Sequence, residues 1–252
     1  MSNKKLKILF LYPNLNMSTL VPNAISILSA TLKEVGFKNI DLFDTTFYES
    51  DGLSKDQDRV KVGQVQPFNF DEKNIQLKKS DMYEDFIKKV ENFNPDIIFA
   101  SVVEDTYPIF INFMKAIKEK KVACLVGGVF PSSAPEKVIE LDFVDYVCRG
   151  EGEGALVDLA NALEENKDPT NIKNLWVKKN GKIVARNSIR PALDVNTLPV
   201  QDLSIFEDIS LHRPMMGKIY RMAPVETQRG CPYTCRFCNS PDQMKLYKGL
   251  GS

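Results

Sequence analysis

The sequence has no excess of either charge, no long apolar run and almost no histidine. Its 252 residues carry 33 Lys+Arg against 33 Asp+Glu, a formal net charge of zero. That balance offers no long-range steering toward nucleic acid, so a nucleic-acid partner is not expected. Lys4, Lys5 and Lys7 read as a solvated terminus. No apolar stretch approaches the roughly 20 residues of a bilayer span. The apolar run at 8–12 is short and meets Pro13 at once, so the N-terminus does not read as a secretory signal. A cytoplasmic protein without a membrane span is expected. The five cysteines agree with that. Cys124 and Cys148 lie in apolar strand-like runs, and the other three crowd into eight residues, which is no secreted disulfide framework. The only histidine, His212, reads as a linker contact, and the only tryptophan, Trp176, as packing.

What is present is a regular alternation of short apolar strands and amphipathic helices. Residues 7–12 (KILFLY) read as a buried first strand. Residues 22–35 read as a helix, with Ile25, Leu28, Leu32 and Val35 on one face and Gly36 as its stop. Further strands are expected at 40–43, 96–103, 122–126 and 144–148, and further helices at 82–93, 107–118, 135–141 and 155–164. The run at 96–103 (DIIFASVV) is almost wholly apolar, as a strand covered on both faces must be. Strict alternation argues for a doubly wound parallel α/β domain over residues 1–166. The expected class is Rossmann-like, with the flavodoxin-like strand order 2-1-3-4-5. Residues 48–80 are polar, contain Gly52, Gly63 and Pro67, and read as an insertion or long loop. In such a fold the ligand crevice lies at the C-terminal ends of the strands. Segments 13–21, 44–46, 103–107, 127–134 and 149–154 converge there.

Beyond the domain, strands at 175–177 and 182–185 flank Asn180-Gly181, the signature of a two-residue hairpin turn. Residues 187–217, with Pro191, Pro199 and Pro214, read as a linker hugging a surface, which makes 167–217 hairpin plus linker. A strand over 220–227 is expected to deliver a second region, 218–252, with Gly230-Cys231-Pro232-Tyr233-Thr234-Cys235-Arg236-Phe237-Cys238 at its heart. Three thiolates at C-x3-C-x2-C spacing can hold one face of a cubane iron–sulfur cluster. Three ligands leave the fourth iron open to a small molecule. Zinc would need a fourth ligand, and none lies nearby. Chance clustering of three cysteines is the bland alternative, and the flanking glycine, proline and aromatic residues argue against it.

The run Thr227-Gln228-Arg229-Gly230-Cys231-Pro232-Tyr233-Thr234-Cys235-Arg236-Phe237-Cys238 resembles the cluster loop of the radical S-adenosylmethionine (SAM) superfamily. The match includes the aromatic just before the last cysteine. The resemblance implies a [4Fe-4S] cluster on Cys231, Cys235 and Cys238, with Phe237 near the adenine or the cluster. It also implies S-adenosyl-L-methionine on the open iron, cleaved by the reduced cluster to a 5'-deoxyadenosyl radical. Earlier in the chain, Tyr12-Pro13-Asn14, Gly127-Gly128 followed by Pro135-Glu136, and Arg149-Gly150-Glu151-Gly152-Glu153 carry a second resemblance. They are similar to the cobalamin (B12)-binding domain that precedes the radical SAM TIM-barrel-like domain in one branch of the superfamily. The likeness spans nearly the whole chain, and 48–80 departs from the compact form. It implies candidate cobalamin contacts at Pro13, Asn14, Thr45, Glu104, Asp105, Gly127, Gly128, Ser132, Ser133, Gly150 and Glu151.

Each candidate also has a plain structural reading. Gly127-Gly128 serves either a tight turn or a flat corrin lying against the backbone. Ser132 and Ser133 serve either the cofactor edge or the cap of the helix starting near Pro135. Glu153 fits the helix dipole, whereas Glu151 stays open between dipole and cofactor. Glu104 and Asp105 are either crevice groups or solvated loop charge. The histidine-bearing Asp-x-His-x-x-Gly signature of many cobalamin domains is missing, because no histidine precedes His212. Cobalt would then lack a histidine lower ligand, and some relatives keep the domain shape without a working cobalamin site.

By resemblance the chain is the N-terminal portion of a longer enzyme. Fourteen residues follow Cys238, far too few for a barrel, and Gly251-Ser252 read as a cloning scar. This portion alone is expected to be inactive. The expected chemistry of the intact enzyme is methyl transfer to an unactivated carbon, with methylcobalamin as the methyl source. Cyclisation, rearrangement and methylthiolation occur on related scaffolds. The implied partners are an electron donor such as flavodoxin or ferredoxin and a small-molecule or peptide substrate. The reading from another class is a non-catalytic corrinoid-binding or interaction module with a vestigial cluster loop.

Overall fold

Five short apolar strands form the centre of the molecule: β1 (Ile8–Tyr12), β2 (Ile40–Asp44), β3 (Ile97–Ser101), β4 (Ala123–Gly127) and β5 (Tyr146–Cys148). In this computed structural model they are parallel and lie in the order 2-1-3-4-5. The structure describes residues 4–15, 21–49 and 55–250, with the backbone alone for Lys55 and Asp56. Gly52, Gly251, Ser252 and residues 16–20 of the first turn lie outside them.

The strands are apolar throughout because both faces are covered. Leu9 and Leu11 of β1, Ile98 and Ala100 of β3, and Cys124 and Val126 of β4 point into one core. Their neighbours Ile8, Phe10, Ile97, Phe99 and Leu125 point into the other. That period of two is the strand repeat itself. The first core is closed by α3 (Met82–Phe93), α4 (Tyr107–Ala116) and α6 (Pro135–Ile139), through Phe86, Phe110, Phe113 and Val138. The second is closed by α1 (Asn23–Glu34) and α7 (Glu153–Glu164), through Ile25, Leu32, Leu156 and Leu159. Local chemistry sets the helix ends. The Asp81 carboxylate accepts from Tyr83 N at 2.7 Å and Glu84 N at 3.0 Å, and Asn94 closes α3 with φ 49°.

The sheet does not stop where the strand–helix alternation stops. β6 (Leu175–Lys179) pairs antiparallel with β5, and β7 (Lys182–Arg186) pairs with β6, giving seven strands. The hairpin expected beyond residue 166 is therefore part of the same sheet. Leu175, Trp176 and Val177 are buried in the two cores, which a free hairpin could not achieve. Its turn has positive φ at Asn180 (50°) and Gly181 (72°), as a type I′ turn requires. The following linker lies along α1. Asp202 accepts from Ser29 Oγ at 2.6 Å and from Lys33 Nζ at 2.5 Å.

Three other expectations differ from the structure. The strand expected over 220–227 ends earlier: β8 (His212–Met215) and β9 (Lys218–Arg221) form a separate hairpin, and residues 222–230 are without regular structure. Segment 48–80 contains α2 (Lys55–Lys61) and a 3-10 turn (Phe70–Lys73). A small cluster of Phe47, Ile75 and Ile219 packs it against β9. A short helix, α5 (Val129–Ser133), precedes α6, where only a loop was expected.

Candidate functional site

All five parallel strands deliver their loops to one edge. Gly127 ends β4, and Gly128 follows with φ +114°. A Cβ on Gly128 would stand 2.5 Å from Val102 O and 2.9 Å from Val102 N. The need for glycine there comes from the backbone of the next loop. A Cβ on Gly127 would meet Cys148 Cβ at 3.6 Å, an ordinary contact. Ser132 is buried; its hydroxyl donates to Gly128 O at 2.8 Å and accepts from Gly150 N at 2.9 Å. It ties the β4 loop to the β5 loop. Gly150 has φ +71°, which favours glycine.

Between these loops and the N-terminal turns of α1 and α7 lies a cavity of about 270 Å³. Phe10, Leu28, Phe99, Leu125 and Leu156 give it apolar walls, and Gly127, Gly128 and Gly150 one edge. Glu151, Glu153, Glu226 and Arg229 form its polar end. Asn23 Oδ1 in the wall is buried and has no hydrogen-bond partner among the described residues. Val103 and Val129 stand exposed where the β3 and β4 loops leave the sheet.

The remaining candidates divide. Pro13, Asn14 and Thr45 sit at the ends of β1 and β2. Asn14 N donates to Thr45 Oγ1 at 2.7 Å, Thr45 Oγ1 donates to Asn14 O at 2.8 Å, and Asn14 Nδ2 donates to Thr46 Oγ1 at 2.8 Å. These bonds join the two strand ends, so Asn14 and Thr45 have structural work in this network. Burial pushes the neighbouring Asp44 carboxyl up to about 6, against hydrogen bonds from Thr46 that lower it. Glu104 and Asp105 form an exposed 3-10 turn and point to solvent. Ser133 is exposed and accepts from Asn239 Nδ2 at 3.1 Å and Gln243 Nε2 at 3.2 Å.

Those two donors belong to the chain that follows the cysteines, which ends in α8 (Ser240–Leu246). Cys231 is half-buried, Cys235 and Cys238 are exposed, and Phe237 is 93% exposed. Among the described residues no three His, Cys, Asp or Glu side chains are gathered closely enough to hold a metal ion. The donor set itself, three thiols within eight residues, is of a type that can ligate an iron–sulfur cluster. Cys238 Sγ shares a 3.4 Å hydrogen bond with the Ser240 hydroxyl and accepts one of 3.4 Å from Ser240 N. Both hold its thiol below the ordinary range and favour the thiolate that metals require. Burial does the opposite in the core, pushing Cys148 up to about 12 and Cys124 well above its usual value.

Of the polar end of the cavity, sequence reasoning had Glu151 as a candidate and Glu153 as a helix-start acid, and it missed Glu226 and the role of Arg229. Arg229 bonds Glu153 at 2.5 Å, Glu226 at 3.0 Å and Glu151 at 3.2 Å. Burial works against its charge, and the carboxylates more than compensate, holding the guanidinium further up. Glu153 is 6% exposed, so it is an ion-pair partner and not merely a helix-start acid. The available signal was one arginine beside the cysteines facing two glutamates spaced i, i+2. Asn23, Leu28 and Leu156 carried no signal beyond helix periodicity.

A model of the B12 binding domain family matches residues 18–160. A methyltransferase of Pyrococcus horikoshii, named as uncharacterised, is 31% identical over 176 residues, covering 66% of this chain and 36% of that protein. An anaerobic magnesium-protoporphyrin IX monomethyl ester cyclase of Rubrivivax gelatinosus is 25% identical over 174 residues, covering 66% and 31%. The chain thus spans about a third of the length of these relatives. Among solved structures, the radical S-adenosylmethionine methyltransferase TsrM of Kitasatospora setae, with cobalamin and a [4Fe-4S] cluster bound, superposes with a TM-score of 0.54. It is 18% identical, with 79% of this chain and 31% of that one covered. With the strand order, the glycine-edged cavity and a family match over more than half of its length, the chain belongs to the B12 binding domain family, in the fold that this domain has beside a radical-SAM region.

Proposed function

We propose that this chain is the cobalamin-binding and cluster-bearing N-terminal portion of a radical SAM enzyme that methylates an unactivated carbon. The carrying observation is the cavity at the C-terminal edge of the parallel sheet, whose rim also anchors the cysteine loop. The residues fit a corrinoid. The apolar walls suit a planar aromatic base, and the orphaned Asn23 Oδ1 suits a corrin amide donor. Exposed Val103 and Val129 offer an apolar bed beside the crevice. Cys231, Cys235 and Cys238 fit a [4Fe-4S] cluster by donor type and spacing. When bound, the cluster and SAM would supply a 5'-deoxyadenosyl radical, and methylcobalamin the methyl group.

The chain's own part is binding and placement. The Gly127–Gly128 turn and the Ser132 bridge fix the crevice edge, and Asn23 lines the cavity. The three thiols supply the cluster ligands, with Cys238 already biased toward its thiolate. An electron donor such as flavodoxin or ferredoxin is needed by this chemistry. The pyrococcal relative's name supports methyl transfer, and the cyclase relatives keep ring formation as the alternative reaction of the same scaffold.

Titration with hydroxocobalamin, read by the corrin absorption bands, tests the proposal. The chain should bind one corrinoid saturably. Leu28→Trp fills the cavity from half-buried α1 and should weaken binding by about 100-fold, while circular dichroism stays native. Equal affinity in the folded variant would move the corrinoid out of this cavity.

A further inference from the structure

We propose that Arg229 is a positioning residue: it latches the cysteine loop to the rim of the cobalamin cavity, so that the loop senses whether the cavity is filled. The inference rests on the functional reading above and extends it to the coupling of the two cofactor sites. Arg229 lies two residues before Cys231, and its guanidinium holds Glu151, Glu153 and Glu226 at once. All four side chains line the cavity, so the latch is part of the cavity wall.

The other end of the loop is tied to the same rim. Asn239, directly after Cys238, and Gln243 both donate to Ser133 Oγ. Tyr247 Oη accepts from Glu151 N at 2.6 Å and lies over Gly150, where even a Cβ would collide with it. Glu151 is the shared point. Its backbone meets Tyr247, one carboxylate oxygen meets Arg229, and the other accepts from Leu193 N at 2.7 Å. Residues 230–238 make no comparable anchor of their own, since all of them but the half-buried Cys231 are exposed and Gly230 is unobstructed. Their position therefore follows the two tethers. One guanidinium among three carboxylates leaves a net negative, half-buried group. Losing the arginine leaves three like charges to separate, and the chain carrying Glu226 moves outward.

Hydrogen exchange of the intact 252-residue chain, with and without hydroxocobalamin, tests this. Without cofactor, Arg229→Met should speed exchange of the two amides bonded through the latch, Glu151 N and Leu193 N, on the order of tenfold and leave β1, β3 and β4 unchanged. Arg229→Lys keeps the charge but not the fork, and should recover part of the protection. Hydroxocobalamin should slow exchange of these two amides in the native chain and not in Arg229→Met. Unchanged exchange in the cofactor-free Arg229→Met chain, or equal loss across the sheet, would overturn the latch. Corrinoid binding, seen by absorption, without any effect on these amides in the native chain would overturn the coupling. Absence of corrinoid binding altogether would defeat the functional reading and the coupling, while the cofactor-free arm would still decide the latch.

Discussion

On the proposed reading, anaerobic reconstitution of the protein at its full native length should give about four irons per protein, and Cys235→Ala should bring this to near zero. Three ligands already leave one iron without a protein bond, so two cannot hold the cubane. The cluster's visible absorption should disappear with the iron. The effect should not reach the α/β domain. Cys235 is exposed and contributes nothing to either core. Thermal unfolding of the variant without cofactor should therefore match the parent within about 0.5 kcal/mol, the usual range for a surface change. An intact cluster in Cys235→Ala would remove this residue from the ligand set. A large loss of stability would show that the loop has a structural role.

Gly128→Ala should be the most damaging single-methyl change at the crevice. The added Cβ would press on Val102 O and N, which are backbone atoms and cannot rotate away, and φ +114° disfavours any side chain. Strain and overpacking together amount to about 3 kcal/mol or more, a large part of a domain's 5–15 kcal/mol. For a chain of this size the melting temperature should fall by roughly 10 °C. Gly127→Ala has room against Cys148 and should cost under about 1 kcal/mol. Calorimetry of the pair checks both values. Equal stability of the two variants would contradict the close approach to Val102.

That pair also marks how far the sequence could be read. The five strands, their parallel order and the edge carrying the loops followed from apolar runs and strand–helix alternation, because buried parallel strands leave an unambiguous pattern. The glycine pair was visible too, but its cause was not. A turn, a ligand and a neighbouring backbone all select glycine, and only the position of Val102 separates them. Asn14, Thr45 and Ser132 were legible as polar groups at the crevice. The bonds of Asn14 to Thr46 and of Ser132 to Gly150 run between segments far apart in sequence, which no local pattern encodes. The hairpin was legible from Asn180-Gly181, whereas its docking on β5 depends on tertiary burial of Trp176. Arg229 was quoted with the cysteine loop, yet two of its three partners, Glu153 and Glu151, lie 76 and 78 residues away. The long segment 48–80 gave little because its buried apolar anchor Ile75 meets Phe47 and Ile219 only in the folded chain.

On the proposed reading, bound cobalamin would place its base in the cavity, and this chain would supply no histidine to the cobalt. Electron paramagnetic resonance of the chain loaded with cob(II)alamin tests it most directly. Free cob(II)alamin carries its own base nitrogen on the metal, and nitrogen splits the cobalt lines. The only histidine here, His212, lies on β8 and turns Nδ1 toward Asp208 O at 3.1 Å. The predicted result is a protein-bound spectrum without nitrogen splitting in the native chain, and without a bound signal in Leu28→Trp. A bound spectrum that keeps the nitrogen splitting, or a spectrum identical to free cob(II)alamin, would contradict it.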